Sequence, residues 1–178
     1  LEEMEQFPTN KIDGFRERIE AMFPTMIEHR CSEGTRGGFF SRIERGTWMG
    51  HVIEHIALEI QTLAGMETGF GRTRETKTPG IYNVVFSYME ENVGMFAAES
   101  AVAIAEALIS GNEYDVEADI QKMREIRERV RLGPSTGSIV DEAVARDIPW
   151  IRLGTNSLVQ LGYGVNQMRF QATITCKT

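Results

Sequence analysis

The sequence predicts an α+β fold: a helix-rich amino-terminal domain with a small sheet, followed by a short αβ lobe. Three observations carry this expectation. Apolar residues recur at spacings of three and four over residues 10–22 and 41–63, and an Ala-rich run covers 88–110. Ile81-Tyr-Asn-Val-Val-Phe-Ser87 has the β-branched and aromatic composition of a strand. Near residue 130 the character changes to short apolar runs separated by glycine turns, which places a boundary between residues 1–129 and 130–178.

The elements follow in order. Ile12, Phe15, Ile19 and Met22 make one face of a helix over 10–22, bounded by Pro8 and Pro24. Residues 30–38, with three glycines, read as a loop. A long helix is expected over 41–63, with Val52, Ile56, Ile60 and Leu63 on its apolar face and Gly65 as its stop. Thr47 can cap a shorter helix if Gly46 breaks the pattern. Residues 66–80 read as loop again, polar and cationic over Gly71-Arg-Thr-Arg-Glu-Thr-Lys77. After the strand, a helix runs from about Tyr88 to Ser110, and a charged surface helix covers 115–130. The second lobe has a helix over 136–147 and a strand over 148–153. A turn at Gly154-Thr155-Asn156 and a short apolar run at 158–161 lead to a strand over 168–175. That last strand presents an open edge, expected to pair with another copy or to be poorly ordered.

Composition narrows the class. With 178 residues, 42% apolar and 25% charged, the chain is one ordinary domain or one domain and part of another. No apolar run approaches the roughly 20 residues that cross a bilayer, and the acidic opening is no signal peptide. A net charge of −7 argues against a nucleic-acid coat. Residues 1–129 carry −9 and residues 130–178 carry +2; an acidic first domain reads first as a solvated surface, and otherwise suits a cationic partner. Cys31 and Cys176 make no disulfide framework, which points to a reducing cytoplasm. The chain starts without Met and stops after a strand-like run, so it reads as part of something longer.

The chemistry concentrates in His51-Val-Ile-Glu54-His55. Two of the three histidines fall in this one segment. On a helix, positions i, i+3 and i+4 share a face. Imidazoles four residues apart can ligate one tetrahedral Zn²⁺, and the carboxylate beside them can take a proton from water that the metal acidifies. This is the H-x-x-E-H pattern of inverted zinc-peptidase helices. The bland alternative is a buried His–Glu hydrogen-bonded cluster without metal. A third ligand is needed, and His29, Cys31, Glu91 and Glu99 are candidates. Analogy with zinc peptidases favours a Glu on a later helix, hence Glu91 or Glu99, of which Glu91 is taken as the ligand. A set of three His and one Cys would instead close the sphere and make the zinc structural. With Glu54 as general base and His51, His55 and Glu91 as ligands, His29, Arg72 and Arg74 remain for substrate. Two guanidiniums flanking Thr73 can grip a carboxylate. The methionines read as core fillers.

Several stretches resemble a known family. Glu28-His-Arg-Cys-Ser32, Gly37-Gly-Phe39, Gly46-Thr47, Gly50-His-Val-Ile-Glu-His-Ile-Ala-Leu-Glu59, Gly69-Phe-Gly-Arg-Thr-Arg74 and Tyr82-Asn-Val-Val85 are similar to the amino-terminal domain of the cyanophycin synthetases. Gly133-Pro-Ser-Thr136, Ser157-Leu-Val-Gln-Leu-Gly-Tyr-Gly164 and Gln171-Ala-Thr173 resemble the entry to that family's ATP-grasp domain. The resemblance implies an ATP- and Mg²⁺-dependent ligase that joins Asp and Arg into multi-L-arginyl-poly-L-aspartate. An ATP-grasp domain adds Asp and a Mur-ligase-like domain adds Arg, both through acyl phosphates. The amino-terminal domain would hold the polymer and, in some members, cut it at a metal site to make primers; His51, Glu54 and His55 stand at the matching positions. The resemblance also implies a homo-oligomer. The nucleotide-cradling loop, the Mg²⁺ carboxylates and the arginine-adding domain are not in this sequence, so the chain alone is expected to bind or cut polymer, or only to anchor it, and not to ligate.

Overall fold

The computed structural model describes residues 8–78, 81–154, 157–171 and 174–175. Pro79-Gly80, Thr155-Asn156, Ala172-Thr173 and Cys176, all invoked above, lie outside them. The chain divides into two compact units, Leu1–Arg127 and Glu128–Thr178, with helices and two small antiparallel sheets.

The first unit opens with a short 3-10 turn, Thr9–Lys11, and then α1, Phe15–Met22. The helix expected from residue 10 therefore starts five residues late, because Gly14 takes a left-handed conformation at its N-cap. The loop expected over 30–38 contains a 3-10 turn, Cys31–Glu33, and gives way at once to α2, Gly38–Arg45. The single helix expected over 41–63 is two: α2, and α3 over Met49–Leu63. Gly46 separates them with φ 99°, and a Cβ there would lie 2.6 Å from the Asn10 side chain. The N-cap of α3 is Trp48, not Thr47; the Thr47 hydroxyl is spent on His51 instead.

α3 is the central element. Val52, Ile53, Ile56, Ala57 and Ile60 are buried along it. It packs on α4, Glu91–Ser110, through Val93, Ala97, Ala101, Ile104 and Ala105, whose small side chains let the two backbones approach. α4 is long and apolar enough, by length and composition, to cross a membrane, contrary to the expectation that no such run exists; half of that stretch is buried inside this unit. α5, Val116–Val130, buries Ile120 and Met123, and its Arg124 and Arg127 donate to the Leu63 and Gly65 carbonyls (both 2.9 Å) at the end of α3.

Two strands close the opposite side of α3. β1, Gly71–Glu75, pairs antiparallel with β2, Tyr82–Phe86, in the register Gly71↔Phe86 to Glu75↔Tyr82. The sequence leaves β1 as loop because its inward positions are Gly71 and Thr73, so no apolar alternation marks it.

The second unit has α6, Pro134–Ala145, with Pro134 in the first turn, two residues before the expected start. A four-stranded antiparallel meander follows: β3 (Trp150–Arg152), β4 (Leu158–Leu161), β5 (Met168–Gln171) and β6 (Ile174–Thr175). The expected single strand over 168–175 is thus two paired strands, Phe170↔Thr175 and Gln171↔Ile174. β5 is covered on both sides, and the open edges belong to β3 and β6. The core here is small: Val140, Val159 and Phe170, with Leu132 and Leu161 against them.

Candidate metal centre

α3 presents His51, Glu54 and His55 on one face, toward a cleft of about 570 Å³. The 3-10 segments before α2 bring His29 and Cys31 to the same place, because Cys31 turns the chain with φ 51°. Cys31 Sγ lies 3.0 Å from His51 Nε2. Ligand atoms of Cys31, His51 and His55 all fall within 4.8 Å of one another. One thiol and two imidazoles are a donor set that suits Zn²⁺.

Each imidazole is held from behind. His51 Nδ1 meets Thr47 Oγ1 at 3.2 Å, which leaves Nε2 for the thiol side. His55 Nδ1 meets His29 Nδ1 at 2.8 Å, and His29 Nε2 meets the Glu59 carboxylate at 2.8 Å. Glu59 only accepts, so His29 donates from Nε2; for two uncharged rings, His29 Nδ1 then accepts from His55 Nδ1–H. The lone pair left on His55 is at Nε2. Phe39 of α2 packs on the His55 ring at 4.5 Å and the His51 ring at 5.8 Å between centroids. Burial, with Arg42 adding to it, lowers His51 to about 4. Burial lowers His55 to about 2, aided by His51, His29 and Arg42. Both rings are therefore neutral, as metal ligands must be.

Glu54 is buried beside them. Burial raises its pKa, against the opposing pull of Thr73 and Arg42. Thr73 Oγ1 donates to Glu54 Oε2 at 2.6 Å, and a Cβ on Gly71 would lie 2.6 Å from the Glu54 side chain. β1 thus touches the carboxylate through a glycine and a hydroxyl. For Glu59, burial is the largest influence and raises its pKa, but hydrogen bonds from His29 and Thr25 outweigh it and hold the carboxyl low.

The expected site residues are sorted by this arrangement. His29, Cys31, His51, Glu54, His55, Arg72 and Arg74 all line the cleft. Glu91 and Glu99 do not: both are exposed on α4, because the face of that helix turned to α3 carries Val93, Ala97 and Ala101. Cys31, rather than Glu91, stands beside His51 and His55. His29, given to substrate, is engaged by His55 and Glu59. Sequence reasoning missed Glu59, Thr73, Thr47 and Arg42. Glu59 and Thr47 were legible in principle, four residues beyond His55 and four before His51; Thr73 and Arg42 are tertiary contacts. The charge expectation also changes: the first unit is acidic, yet its cleft is lined by Arg30, Arg42, Arg72 and Arg74 against Glu54. The guanidinium groups of Arg72 and Arg74 have no hydrogen-bond or ion-pair partner among the described residues. A larger groove of about 810 Å³, near Arg18, Leu108 and Tyr114, holds no such cluster of ligating side chains among the described residues.

Residues 1–110 match the family model described as the cyanophycin synthase-like N-terminal domain. The chain belongs to this family. It is 49% identical over 178 residues to a cyanophycin synthetase from Synechocystis sp., covering 98% of this chain and 20% of that relative. It is also 49% identical over 181 residues to the cyanophycin synthetase of Geminocystis herdmanii, and 47% identical over 178 residues to that of Crocosphaera subtropica. The chain spans about a fifth of the length of these curated relatives and corresponds to their amino-terminal region.

Proposed function

We propose that the chain is the polymer-handling part of a cyanophycin synthetase, ATP- and Mg²⁺-dependent as a whole enzyme, and that its first unit cuts the arginine-bearing polyaspartate at a zinc site to yield primers. The observation that carries this reading is the trio of Cys31, His51 and His55 donors within 4.8 Å, with Glu54 in the same cleft. Three protein donors leave a fourth position open, the pattern of hydrolytic sites.

Zinc bound there would polarise a scissile carbonyl and lower the pKa of water. The protein's own groups do the rest. Glu54 accepts the proton of the attacking water at Oε1, since Oε2 is held by Thr73, and returns it to the leaving amine. Burial, which raises its pKa, suits it to both transfers. Thr47 and the Glu59–His29 pair fix the two imidazoles. Arg72 and Arg74 take carboxylates. Each arginine of the polymer is joined through its amine, so its own carboxylate stays free for them. The second unit is read as the start of the ATP-grasp domain.

The test is cleavage of cyanophycin by the purified chain, followed by mass spectrometry. Glu54→Gln should keep the metal and lose about 10²-fold or more of the rate; chelation should stop the reaction and zinc restore it. Equal rates for Glu54→Gln and parent would end the hydrolytic reading. A second reading, a polymer anchor whose cluster is closed by His29 as fourth donor, draws on the 2.8 Å approach of His29 to His55. It predicts polymer binding with no products.

A further inference from the structure

The small sheet has an open side next to the cleft. β1 pairs with β2 along one edge, and no strand of the described residues lies along the other. Bonds just beyond the strand ends fix the phase of the ladder. Ser87 N–H donates to the Phe70 carbonyl, and Thr76 N–H to the Ile81 carbonyl, both at 2.8 Å. Bonded pairs alternate in an antiparallel ladder. Arg72 and Arg74 therefore exchange bonds with Val85 and Asn83, and the N–H and C=O groups of Gly71 and Thr73 point to the free edge. Those four groups have no hydrogen-bond partner among the described residues. Gly71 and Thr73 also line the cleft and touch Glu54.

We propose that this edge of β1 docks an extended peptide whose side branches end in carboxylates, added as a third strand beside β1 on the side away from β2. The inference rests on the hydrolytic reading above and names how its substrate lies. Strand addition satisfies the four open backbone groups and needs no side-chain sequence. Charge selects the branches. Arg72 and Arg74 sit two residues apart on one face of β1, about 7 Å along the strand, and their guanidiniums are unpartnered among the described residues. An added strand presents every second branch at the same repeat on that face, so successive carboxylates meet successive guanidiniums. Branches of the other parity turn to the α3 side, where Glu54 waits. Arg30 and Arg42 add the same charge to the lining of the cleft.

The experiment uses the intact chain and two fluorescein-labelled aspartate decapeptides, one ordinary and one methylated on every backbone nitrogen, with binding read by fluorescence anisotropy. Methylation keeps the carboxylates and removes the N–H donors while blocking both edges. The ordinary peptide should bind at least about tenfold more tightly, the value of losing several main-chain bonds. Replacing both Arg72→Gln and Arg74→Gln should weaken the ordinary peptide by about tenfold and steepen no other contact. Equal binding of the two peptides, no binding of the ordinary one, or an unchanged affinity in the double variant overturns the proposal. Polymer cleavage that persists through any of these results leaves the hydrolytic reading standing, so the two fail separately.

Discussion

His51 and His55 differ in what holds them, and the difference is testable. His55 leans on His29 and Glu59, and Glu59 is almost wholly buried. Replacing Glu59→Gln keeps the shape but gives His29 an amide that can donate as well as accept, so the tautomer order is lost. Zinc affinity, measured by competition with a coloured chelator, should fall about 10- to 100-fold; an unchanged affinity would show that Glu59 only packs. The same rings set a pH dependence in the metal-free chain. An imidazole in the unfolded chain titrates near 6.5, whereas burial brings His51 to about 4 and His55 to about 2. Below about pH 6.5 the unfolded chain binds protons that the folded one refuses, so stability is lost as pH falls toward 4, and for His55 further down. The slope is up to about 1.4 kcal/mol per pH unit for each ring. Glu54, raised by burial, acts in the opposite sense just above pH 4.5. Urea unfolding of chelator-treated protein at a series of pH values measures this, and stability that rises on acidification would contradict the buried placement of the rings.

At the scale of elements, α2 and β1 are the supports of α3. Phe39 is fully buried and packs on both imidazoles, so Phe39→Ala should destabilise the first unit by about 3–5 kcal/mol and loosen the metal as well. β1 makes a different prediction. Gly71→Ala sets a methyl group 2.6 Å from both Cγ and Oε1 of Glu54, so the whole carboxylate arm must shift. The loss should appear in cleavage rate, with zinc content and melting temperature close to the parent. A fall in melting temperature without a fall in rate would mean that the strand, not the carboxylate, yields. These supports also mark the limit of what the sequence displays. The H-x-x-E-H face follows from helical spacing alone, because i, i+3 and i+4 are local. Thr47, four residues before His51, is a local partner; the other partners of that face come from residues 25–31 and 71–74, brought in by the break at Cys31 and by a strand with no apolar alternation. Neither periodicity nor propensity registers such contacts. Glu91 attracted attention through analogy, and the small-residue face of α4 turned it outward.

For the whole molecule, the division into Leu1–Arg127 and Glu128–Thr178 separates a large core from a small one. Among the described residues the second unit buries three apolar side chains in its cluster, and a core of that size supplies at most about 3–5 kcal/mol. Calorimetry should show two transitions. Zinc should raise the one belonging to the first unit and leave the other in place. A single transition shifted as one by zinc would mean that the units fold together. The central claim, that Cys31, His51 and His55 hold one metal ion, is met most directly by the zinc content of the purified chain and its alanine variants. The parent and Glu91→Ala should carry about one zinc per chain, and Cys31→Ala, His51→Ala and His55→Ala nearly none. Full zinc in Cys31→Ala, or its loss in Glu91→Ala, would contradict the account.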